Sequence, residues 1–339
     1  MPSQPPLPHL LVPYLSDQTD SSLTLISSIL GATSNWLVLR FLHAALSSSS
    51  SPHMPIGVED QYDGKKRKVV LVSFMRGWEF WKSEAKRLGL DLTRLSSKQQ
   101  FTFVDGLSEL FSLPQNTKTR LPAQHAGAPA RTALPLRSQS AVPDRMPPQA
   151  TPADQTSSRG STEPIAKKLH FSGHGITALN ALGRDIQTVI EKQKISQDDE
   201  ILLIIDQPDL LLASTGPSQA IGATEMMNWL TGLQLDVHST VLTLAADSPL
   251  LHNASASSNQ MANPTEAEHA AFSIGLAHRA RSVMQLRTLE TGAARDVSGV
   301  LRISRGGGWT VGDDNLDERE LLFYIQRDGG VRVFGRGES

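Results

Sequence analysis

A run of apolar or small residues that leads directly into a helical pattern is the feature that most constrains the fold of this chain. Residues 69–74, VVLVSF, do not alternate with polar residues, which is typical of a strand buried on both faces of a parallel sheet. Apolar positions then recur at helical spacing until Gly89, a residue that favours a helix end. They are Trp78, Trp81, Ala85 and Leu88. Residues 69–89 are therefore predicted to form one strand–turn–helix unit of an α/β sheet.

The same alternation of strand and helix signals continues along most of the chain. Strands are predicted at 23–27, 69–74, 101–104, 201–205, 240–245, 300–304, 321–326 and 331–334. Helices are predicted at 35–46, 78–89, 176–192 and 223–235, with a long helical region at 265–289. Asp328-Gly329-Gly330 forms a hairpin-type turn between the last two strands. The predicted fold class is α/β, with a mostly parallel sheet flanked by helices and antiparallel strands at its C-terminal end.

Residues 113–164 interrupt this alternation with a change of composition. The segment holds nine of the chain's 20 prolines, and no Phe, Tyr or Trp occurs between Phe111 and Phe171. Such a segment cannot bury enough apolar surface to offset the entropy of ordering it, so it is predicted to be a disordered insertion within a single domain spanning 1–339. A solvated spacer is favoured over a transient RNA contact. The polar residues 248–268 are predicted to form a flexible loop.

Composition excludes several classes of function. The chain has no cysteine, which excludes disulfides, thiolate metal sites and a cysteine nucleophile. Its formal net charge of −2 gives no electrostatic reason to expect autonomous nucleic-acid binding. The N-terminus lacks a basic stretch before an apolar core, and the apolar helix at 36–46 is too short to span a bilayer and contains Arg40 and His43. We therefore expect an intracellular protein without membrane association.

The turn after the first strand has the position of a phosphate-binding loop without its residues. In P-loop NTPases the sequence GxxxxGK[ST] follows the first strand, and its amides and lysine hold the phosphates. Here residues 29–34 read ILGATS. If Gly31 takes the second glycine position, Ala32 replaces the lysine and Thr33 keeps the hydroxyl position. If Gly31 takes the first, Leu37 replaces the lysine. Both alignments lose the lysine, so we expect no intact ATP site and no cofactor.

A second half of the nucleotide-binding signature is better preserved. Residues 201–206, ILLIID, end a buried strand with Asp206, as a Walker B strand presents its carboxylate to magnesium. Because many buried strands end at Asp, we expect Asp206 to fix the following turn at Pro208 and Asp209 rather than to bind a metal. Asp247, which follows the next strand, is interpreted in the same way.

Three other patterns are too incomplete to indicate a site. His170 and His174 have no nearby third metal ligand and are more typical of a glycine-rich helix entry. Residues 216–220, GPSQA, lack the last glycine of a hydrolase nucleophile elbow. Residues 305–309, RGGGW, resemble one RGG-type RNA contact, but a glycine turn leaving the preceding strand is the simpler interpretation.

Five segments together resemble subunit six of the Elongator complex, a RecA-like family that has lost its nucleotide-binding loop. They are residues 23–42 (LTLISSILGATSNWLVLRFL), 69–92, 101–111 (FTFVDGLSELF), 201–213 (ILLIIDQPDLLLA) and 299–307 (GVLRISRGG). The resemblance implies a RecA-like fold and a non-catalytic structural subunit. The radical and acetyl-transfer chemistry would belong to another subunit.

The resemblance also implies partners and a location. Subunits four and five would assemble with this chain into a heterohexameric ring, which would join the catalytic Elongator subcomplex in the cytoplasm and nucleus. The assembled ring would bind tRNA and support wobble-uridine (U34) modification. The loops at 213–222 and 248–269 contain no Lys or Arg, so partner subunits are expected to provide most of the charge that meets RNA. The alternative is an active recombinase- or circadian-type RecA ATPase with an altered nucleotide loop, which the strand at 201–206 supports.

Overall fold

The computed structural model describes residues 7–16, 18–47, 67–112, 165–196, 199–251, 263–289, 296–310 and 316–336. The strands in these ranges are β1 Ser22–Ser28, β2 Arg67–Ser73, β3 Phe101–Asp105, β4 Ile165–Lys168, β5 Glu200–Asp206, β6 Ser239–Ala245, β7 Ser282–Arg287, β8 Gly299–Arg305, β9 Arg319–Ile325 and β10 Val331–Phe334. The helices are α1 Val12–Ser16, α2 Asn35–Ser47, α3 Trp78–Arg87, α4 Leu92–Ser97, α5 Gly175–Gln193, α6 Asp209–Thr215, α7 Ala223–Gln234, α8 Ser248–Leu251 and α9 Pro264–Arg279.

These strands form one sheet in the order β10-β9-β8-β7-β1-β6-β5-β2-β3-β4. The strands from β7 to β4 in this order pair in parallel. From β7 to β10 the pairing is antiparallel. The predicted fold class, a mostly parallel α/β sheet with antiparallel C-terminal strands, is confirmed.

Two apolar cores, one on each face of the sheet, explain why the central strands do not alternate in polarity. In β2, Val69 and Leu71 belong to one core, whereas Val70 and Val72 belong to the other. Residues of α1 to α4 pack into the first core, and residues of α5, α6, α7 and α9 pack into the second. Successive residues of a strand point to opposite faces of the sheet. Because helices cover both faces, the residues that point to either face of a central strand must be apolar.

The predicted strand–turn–helix unit forms as β2 and α3. Trp78, Trp81 and Ala85 are buried on one side of α3. Gly89 adopts a φ of +80° after the helix, and the amide of Leu90 donates to the carbonyl of Ala85 at 2.9 Å. This is the Schellman type of helix end, which favours glycine at the left-handed position. The prediction that Gly89 stops the helix is thereby explained.

The long helical region predicted at 265–289 is wrong in its second half. Helix α9 ends at Arg279, and β7 pairs with both β1 and β8. Burial along β7 alternates from one residue to the next, as a strand requires. The sequence SVMQLR hides this alternation because Met, Gln, Leu and Arg are all good helix formers. Pairing in the sheet therefore overrides the local helix propensity.

Two smaller features also differ from the predictions. Strand β4 was missed because its sequence, IAKK, is short and half charged. Helical structure enters the predicted loop at 248–268 from both sides, through α8 and through α9, where the side chain of Asn263 caps the helix by accepting from the amide of Thr265. Residues 252–262 of that loop, and the predicted insertion at 113–164, lie outside the described residues. Residues 1–112 and 164–339 belong to one compact unit.

Candidate functional site at the carboxyl edge of the sheet

Two crevices at the carboxyl edge of the parallel strands are the places where this topology favours a ligand. Helices α2 and α3 leave β1 and β2 toward one face of the sheet, whereas α6 and α9, which follow β5 and β6, cover the other face. Because β1 lies beside β6 and β2 lies beside β5, neighbouring connections diverge at both places. In open α/β sheets, ligands bind where neighbouring connections diverge in this way.

The turn at residues 29–34 closes the crevice between β1 and β6. The amide of Ala32 donates to the carbonyl of Ile29 at 2.9 Å, which makes a tight four-residue turn. The amide of Leu30 donates to Oδ1 of Asp247 at 3.0 Å. Asp247 therefore accepts from an amide of the turn, and the amides of Leu30 and Ala32 both have acceptors within the protein.

The predicted positions within this turn differ in exposure. Ala32 is buried, with 3% of its surface exposed, whereas Gly31 and Thr33 are exposed. A Cβ added at Gly31 would lie 2.7 Å from Cγ2 of Thr288, so the residue after β7 packs closely against the turn. Leu37, the lysine position of the other alignment, lies in the apolar core. Neither alignment places a cationic side chain at the turn.

Asp206 lies in the crevice between β2 and β5, where neighbouring side chains donate hydrogen bonds to its carboxylate. Its exposure is 0%. Oδ2 accepts from the Ser73 hydroxyl at 2.8 Å, and Oδ1 accepts from the Thr243 hydroxyl at 3.0 Å. Nη1 of Arg76 donates to the two oxygens at 3.2 and 3.3 Å. These donors occupy the lone pairs that a magnesium ion or its water ligands would need.

Burial and charge act in opposite directions on Asp206. Burial raises the pKa of this carboxyl, and Arg76, Ser73 and Thr243 reduce but do not cancel the effect. The guanidinium of Arg76 also lies 5.3 Å from the centre of the Phe80 ring, which helps to hold it over the crevice. In the sequence, Arg76 is a residue of the turn after the predicted strand at 69–74. Its role as the counter-ion of Asp206 comes from the pairing of β2 with β5.

The structure differs from the expectation that Asp206 fixes the turn at Pro208 and Asp209. The hydrogen bonds of Asp206 go to residues of neighbouring strands, whereas Asp209 makes its own contacts. Oδ2 of Asp209 accepts from the amide of Ala245 at 3.1 Å and lies 3.4 Å from Nε2 of His269. This buried pair joins α6 to β6 and α9. Sequence reasoning missed it because its members are 60 residues apart.

His170 and His174, the histidines of the predicted helix entry, have polar partners of their own in the structure. Nε2 of His170 lies 3.3 Å from a carboxylate oxygen of Glu109, and His174 is the residue before α5. No group of three or more His, Cys, Asp or Glu side chains suited to a metal occurs in the ranges that the structure covers. The interpretation of this segment as a glycine-rich helix entry agrees with the start of α5 at Gly175.

The RGGG segment packs against the end of α9. The amides of Gly306, Gly307 and Gly308 donate to the carbonyls of Arg281, Ala277 and Ala280. A Cβ at Gly307 would overlap the carbonyl oxygen of His278, so a side chain does not fit there. The Arg305 guanidinium lies 3.9 Å from the centre of the Trp309 ring. The glycines are thus explained by packing without an RNA contact.

Comparison with known proteins adds evidence about the fold. No protein-family model matches the chain, and no curated protein matches it in sequence. Among solved structures, it is similar to a KaiC-like protein from the hyperthermophilic archaeon Pyrococcus horikoshii OT3, with a TM-score of 0.50 and 12% identity over 93% of this chain and 90% of that chain. Of the helices in the described ranges, none combines the length and apolar character needed to cross a membrane.

The structural likeness, at such low sequence identity, shows the fold alone. The chain therefore has a RecA-like fold of the kind found in a KaiC-like protein.

Proposed function

We propose that this chain is a non-catalytic subunit of the Elongator complex. In this proposal it assembles with subunits four and five into a heterohexameric RecA-like ring that binds tRNA, joins the catalytic subcomplex and supports modification of the wobble uridine. The observation that carries the non-catalytic part is the ion pair between Arg76 and Asp206 at 3.2 Å, because Asp206 ends a strand in the way that a Walker B carboxylate does.

The energetics of this ion pair argue against use of Asp206 as a metal ligand. Freeing the carboxylate would leave the buried hydroxyls of Ser73 and Thr243 without their acceptor and Arg76 without its counter-ion. Each such loss costs free energy that metal binding would have to exceed. The turn at residues 29–34 adds no lysine that could attract the phosphates. The five segments that resemble Elongator subunit six support the choice of complex.

Assembly with the proposed partners is the direct test. The full chain is co-expressed with Elongator subunits four and five, and the purified material is measured by native mass spectrometry. We expect one species that contains all three subunits with the mass of a heterohexamer. Pairwise co-expressions serve as controls for the order of assembly. A chain that stays monomeric while subunits four and five associate without it would contradict the proposal.

The structural likeness to a KaiC-like protein favours one other candidate, an active RecA-type ATPase with an altered nucleotide loop. ATP titration of the purified chain separates the two functions. We expect neither saturable binding at micromolar ATP nor turnover. Turnover that is lost in Asp206→Ala would support the ATPase.

A matched control separates loss of chemistry from loss of fold. Asp105 is also a buried carboxylate at the end of a parallel strand, but it accepts from the amides of Leu107 and Ser108 within its own turn. Turnover that is lost equally in Asp105→Ala and Asp206→Ala would reflect general destabilisation. Turnover lost only in Asp206→Ala would identify a catalytic carboxylate and reject the non-catalytic assignment.

A further inference from the structure

The antiparallel end of the sheet contributes side chains to only one of the two cores. In β8, β9 and β10, residues such as Leu301, Phe323 and Val333 point into the first core. Among the described residues, no side chain of these three strands belongs to the second core, to which α5, α6, α7 and α9 contribute. The helix layer that covers the second face of the central strands therefore ends before β8.

The residues that alternate with these core positions form a surface that we call the outer face. They are Val300 and Arg302 of β8, Glu320, Leu322 and Tyr324 of β9, and Arg332 and Phe334 of β10. The register places Val300, Leu322 and Phe334 side by side across the three strands. Leu322, Tyr324 and Phe334 are partly exposed, and none of them packs against either core. The middle of the outer face is thus an apolar strip that solvent reaches.

Arginines surround this strip. Glu320 lies 2.9 Å from Nη2 of Arg287 on β7, and it also contacts the guanidinium of Arg336, just after β10. Arg302 and Arg332 are exposed, and the guanidinium of neither makes a hydrogen bond or an ion pair within the described ranges. Four guanidiniums and one carboxylate give this face an excess of positive charge, although the whole chain has a net charge of −2.

The pKa of Glu320 is affected by the same positive charges. The hydrogen bond from Arg287 is the main cause that lowers the pKa of this carboxyl, and burial opposes it. The charges of Arg336, Arg287 and Arg302 lower the pKa further. A carboxylate of another molecule that approached this face would meet the same charges.

The two arginines without a carboxylate partner lie on opposite sides of the apolar strip. Arg302 lies opposite Glu320 and Arg332 lies opposite Tyr324. Their Cα atoms are therefore roughly 17 Å apart, at ~3.4 Å per residue along a strand and ~4.8 Å between strands. A molecule that matches this face carries negative groups at both ends and apolar groups between them.

A protein segment matches this arrangement better than a nucleic-acid strand does. A nucleic acid carries a negative charge at every nucleotide along its backbone. Here the aliphatic side chains of Val300 and Leu322 lie between the two cations, and Glu320 adds a carboxylate that phosphates would have to approach. Carboxylates bind guanidiniums through charge-assisted hydrogen bonds, and apolar side chains would remove the surface of the strip from water.

We propose that the outer face of β8–β10 is a docking surface for an acidic, amphipathic segment of a partner protein. Carboxylates of that segment bind Arg302 and Arg332, and its apolar side chains pack on Leu322 and Phe334. Strands β7, β1 and β6 separate β8 from β5, so this surface is distinct from the crevice that holds Asp206. The proposal stands whether or not the chain belongs to Elongator.

Binding of labelled peptides to the full chain, followed by fluorescence anisotropy, tests the surface. The probe is a peptide of roughly nine residues, which at ~3.4 Å per extended residue is long enough to pass both arginines. It carries two glutamates near each end, with leucine and phenylalanine in the middle. We expect saturable binding that weakens at least fivefold in Arg302→Gln and in Arg332→Gln, because each variant removes one cation that binds a carboxylate.

Arg94→Gln is the matched control for these variants. Arg94 is also an exposed arginine, but it lies on α4, so its loss changes the net charge equally without touching the outer face. We expect it to leave binding unchanged. Equal weakening in all three variants, or no saturable binding of the probe to the unsubstituted chain, would overturn the proposal.

A second probe separates docking on the strip from attraction between charges. A peptide with serine in place of leucine and phenylalanine keeps the carboxylates but loses the apolar contact, so we expect at least tenfold weaker binding. Leu322→Thr makes the corresponding change in the chain and keeps a residue that favours strands. It should weaken binding of the first peptide but not of the serine peptide. Equal affinity of the unsubstituted chain for the two peptides would contradict the role of the strip.

The other possible occupants are tested in parallel. A labelled single-stranded oligouridylate of similar length should bind at least tenfold more weakly than the first peptide at the same salt concentration. Tighter binding of the oligonucleotide, lost in Arg302→Gln, would rule out the assignment to a protein segment. Analytical ultracentrifugation of the chain alone tests a second copy as the occupant. A dimer that dissociates in Arg332→Gln would show that another copy covers this face and would also reject the proposal.

Discussion

Two buried charges distinguish this chain at the scale of single residues. Asp206 has a cation and two hydroxyls within hydrogen-bond distance, whereas Arg40 has no acceptor for Nε or Nη2 in the described residues. Their meanings differ accordingly. The carboxylate of Asp206 joins β5 to its neighbouring strands, whereas the guanidinium of Arg40 is a charge buried within α2. The sequence placed Asp206 at a strand end and Arg40 within an apolar helix, but it could not assign a partner to either.

Replacing Arg76 by Leu should make stability depend on pH through Asp206. Loss of the Arg76 charge raises the folded-state pKa of Asp206 further above its unfolded value of about 3.9. The folded state then binds the proton more tightly than the unfolded state, so the penalty is full above the folded pKa and decreases as pH falls toward the unfolded value. We expect a loss of about 3 kcal/mol at neutral pH and partial recovery in mild acid. Urea unfolding at about pH 7 and about pH 5, relative to the unsubstituted chain, measures both.

The control for this prediction removes the titrating group. Combining Arg76→Leu with Asp206→Asn leaves no carboxyl to protonate, so the recovery in acid should disappear. If Arg76→Leu alone lost the same free energy at both pH values, the ion pair would not be the source of the effect.

At the scale of elements, the glycine segment that follows β8 packs against the C-terminal end of α9. The three glycines after β8 lie against the last carbonyls of α9, and β7 follows that helix almost at once. This close approach explains both the RGGG sequence and the early end of α9. The periodicity of residues 265–289 did not reveal it, because the packing partner is a segment about 30 residues later in the chain.

Two glycine-to-alanine variants should show opposite effects on stability. Gly307→Ala places a Cβ against the carbonyl of His278, so we expect a loss of about 2 kcal/mol. Gly232→Ala lies in α7 with open space around the added Cβ, so we expect a gain of about 0.5 kcal/mol from improved helix propensity. Denaturant unfolding of both variants measures the difference. A neutral Gly307→Ala would mean that the glycine segment does not pack as described.

At the scale of the whole molecule, one compact unit contains the residues on both sides of the predicted insertion. Strands β3 and β4 are parallel neighbours although residues 106–164 separate them in sequence. A crossover between parallel strands must return along the sheet, but a dozen or so residues can be enough for it. Residues 113–164 are also rich in proline and contain no Phe, Tyr or Trp, so we expect the segment to contribute little to folding stability.

Deleting most of this segment tests that prediction. Residues 113–163 are replaced by a Gly/Ser linker of roughly 20 residues, which is long enough for the return crossover. The shorter connection changes the closure entropy by less than about 1 kcal/mol, so we expect an unfolding free energy close to that of the full chain. Thermal and urea unfolding provide the measurement. A loss of several kcal/mol would mean that the segment contributes to a core.

Local sequence patterns were sufficient to predict most of the order of strands and helices along the chain. Apolar runs such as residues 69–74 and 201–205, and the helical spacing between Trp78 and Leu88, follow from the repeat of a strand or a helix, which neighbouring residues establish together. The absence of lysine from residues 29–34 is likewise a fact of the sequence. These local features were sufficient for the fold class.

Only the tertiary structure decided which distant residues meet. Arg76 and Asp206 are separated by 130 positions, and they become an ion pair because β2 lies beside β5. Residues 282–287 became a strand because β1 and β8 accept their hydrogen bonds. Arg40 became a buried charge through the packing of α2 against α3 and the hairpin. The spacing of apolar residues shows whether a segment is a buried strand or a helix with one buried side. The partner of a buried polar group depends instead on which strands are neighbours in the sheet, and no local pattern encodes that order.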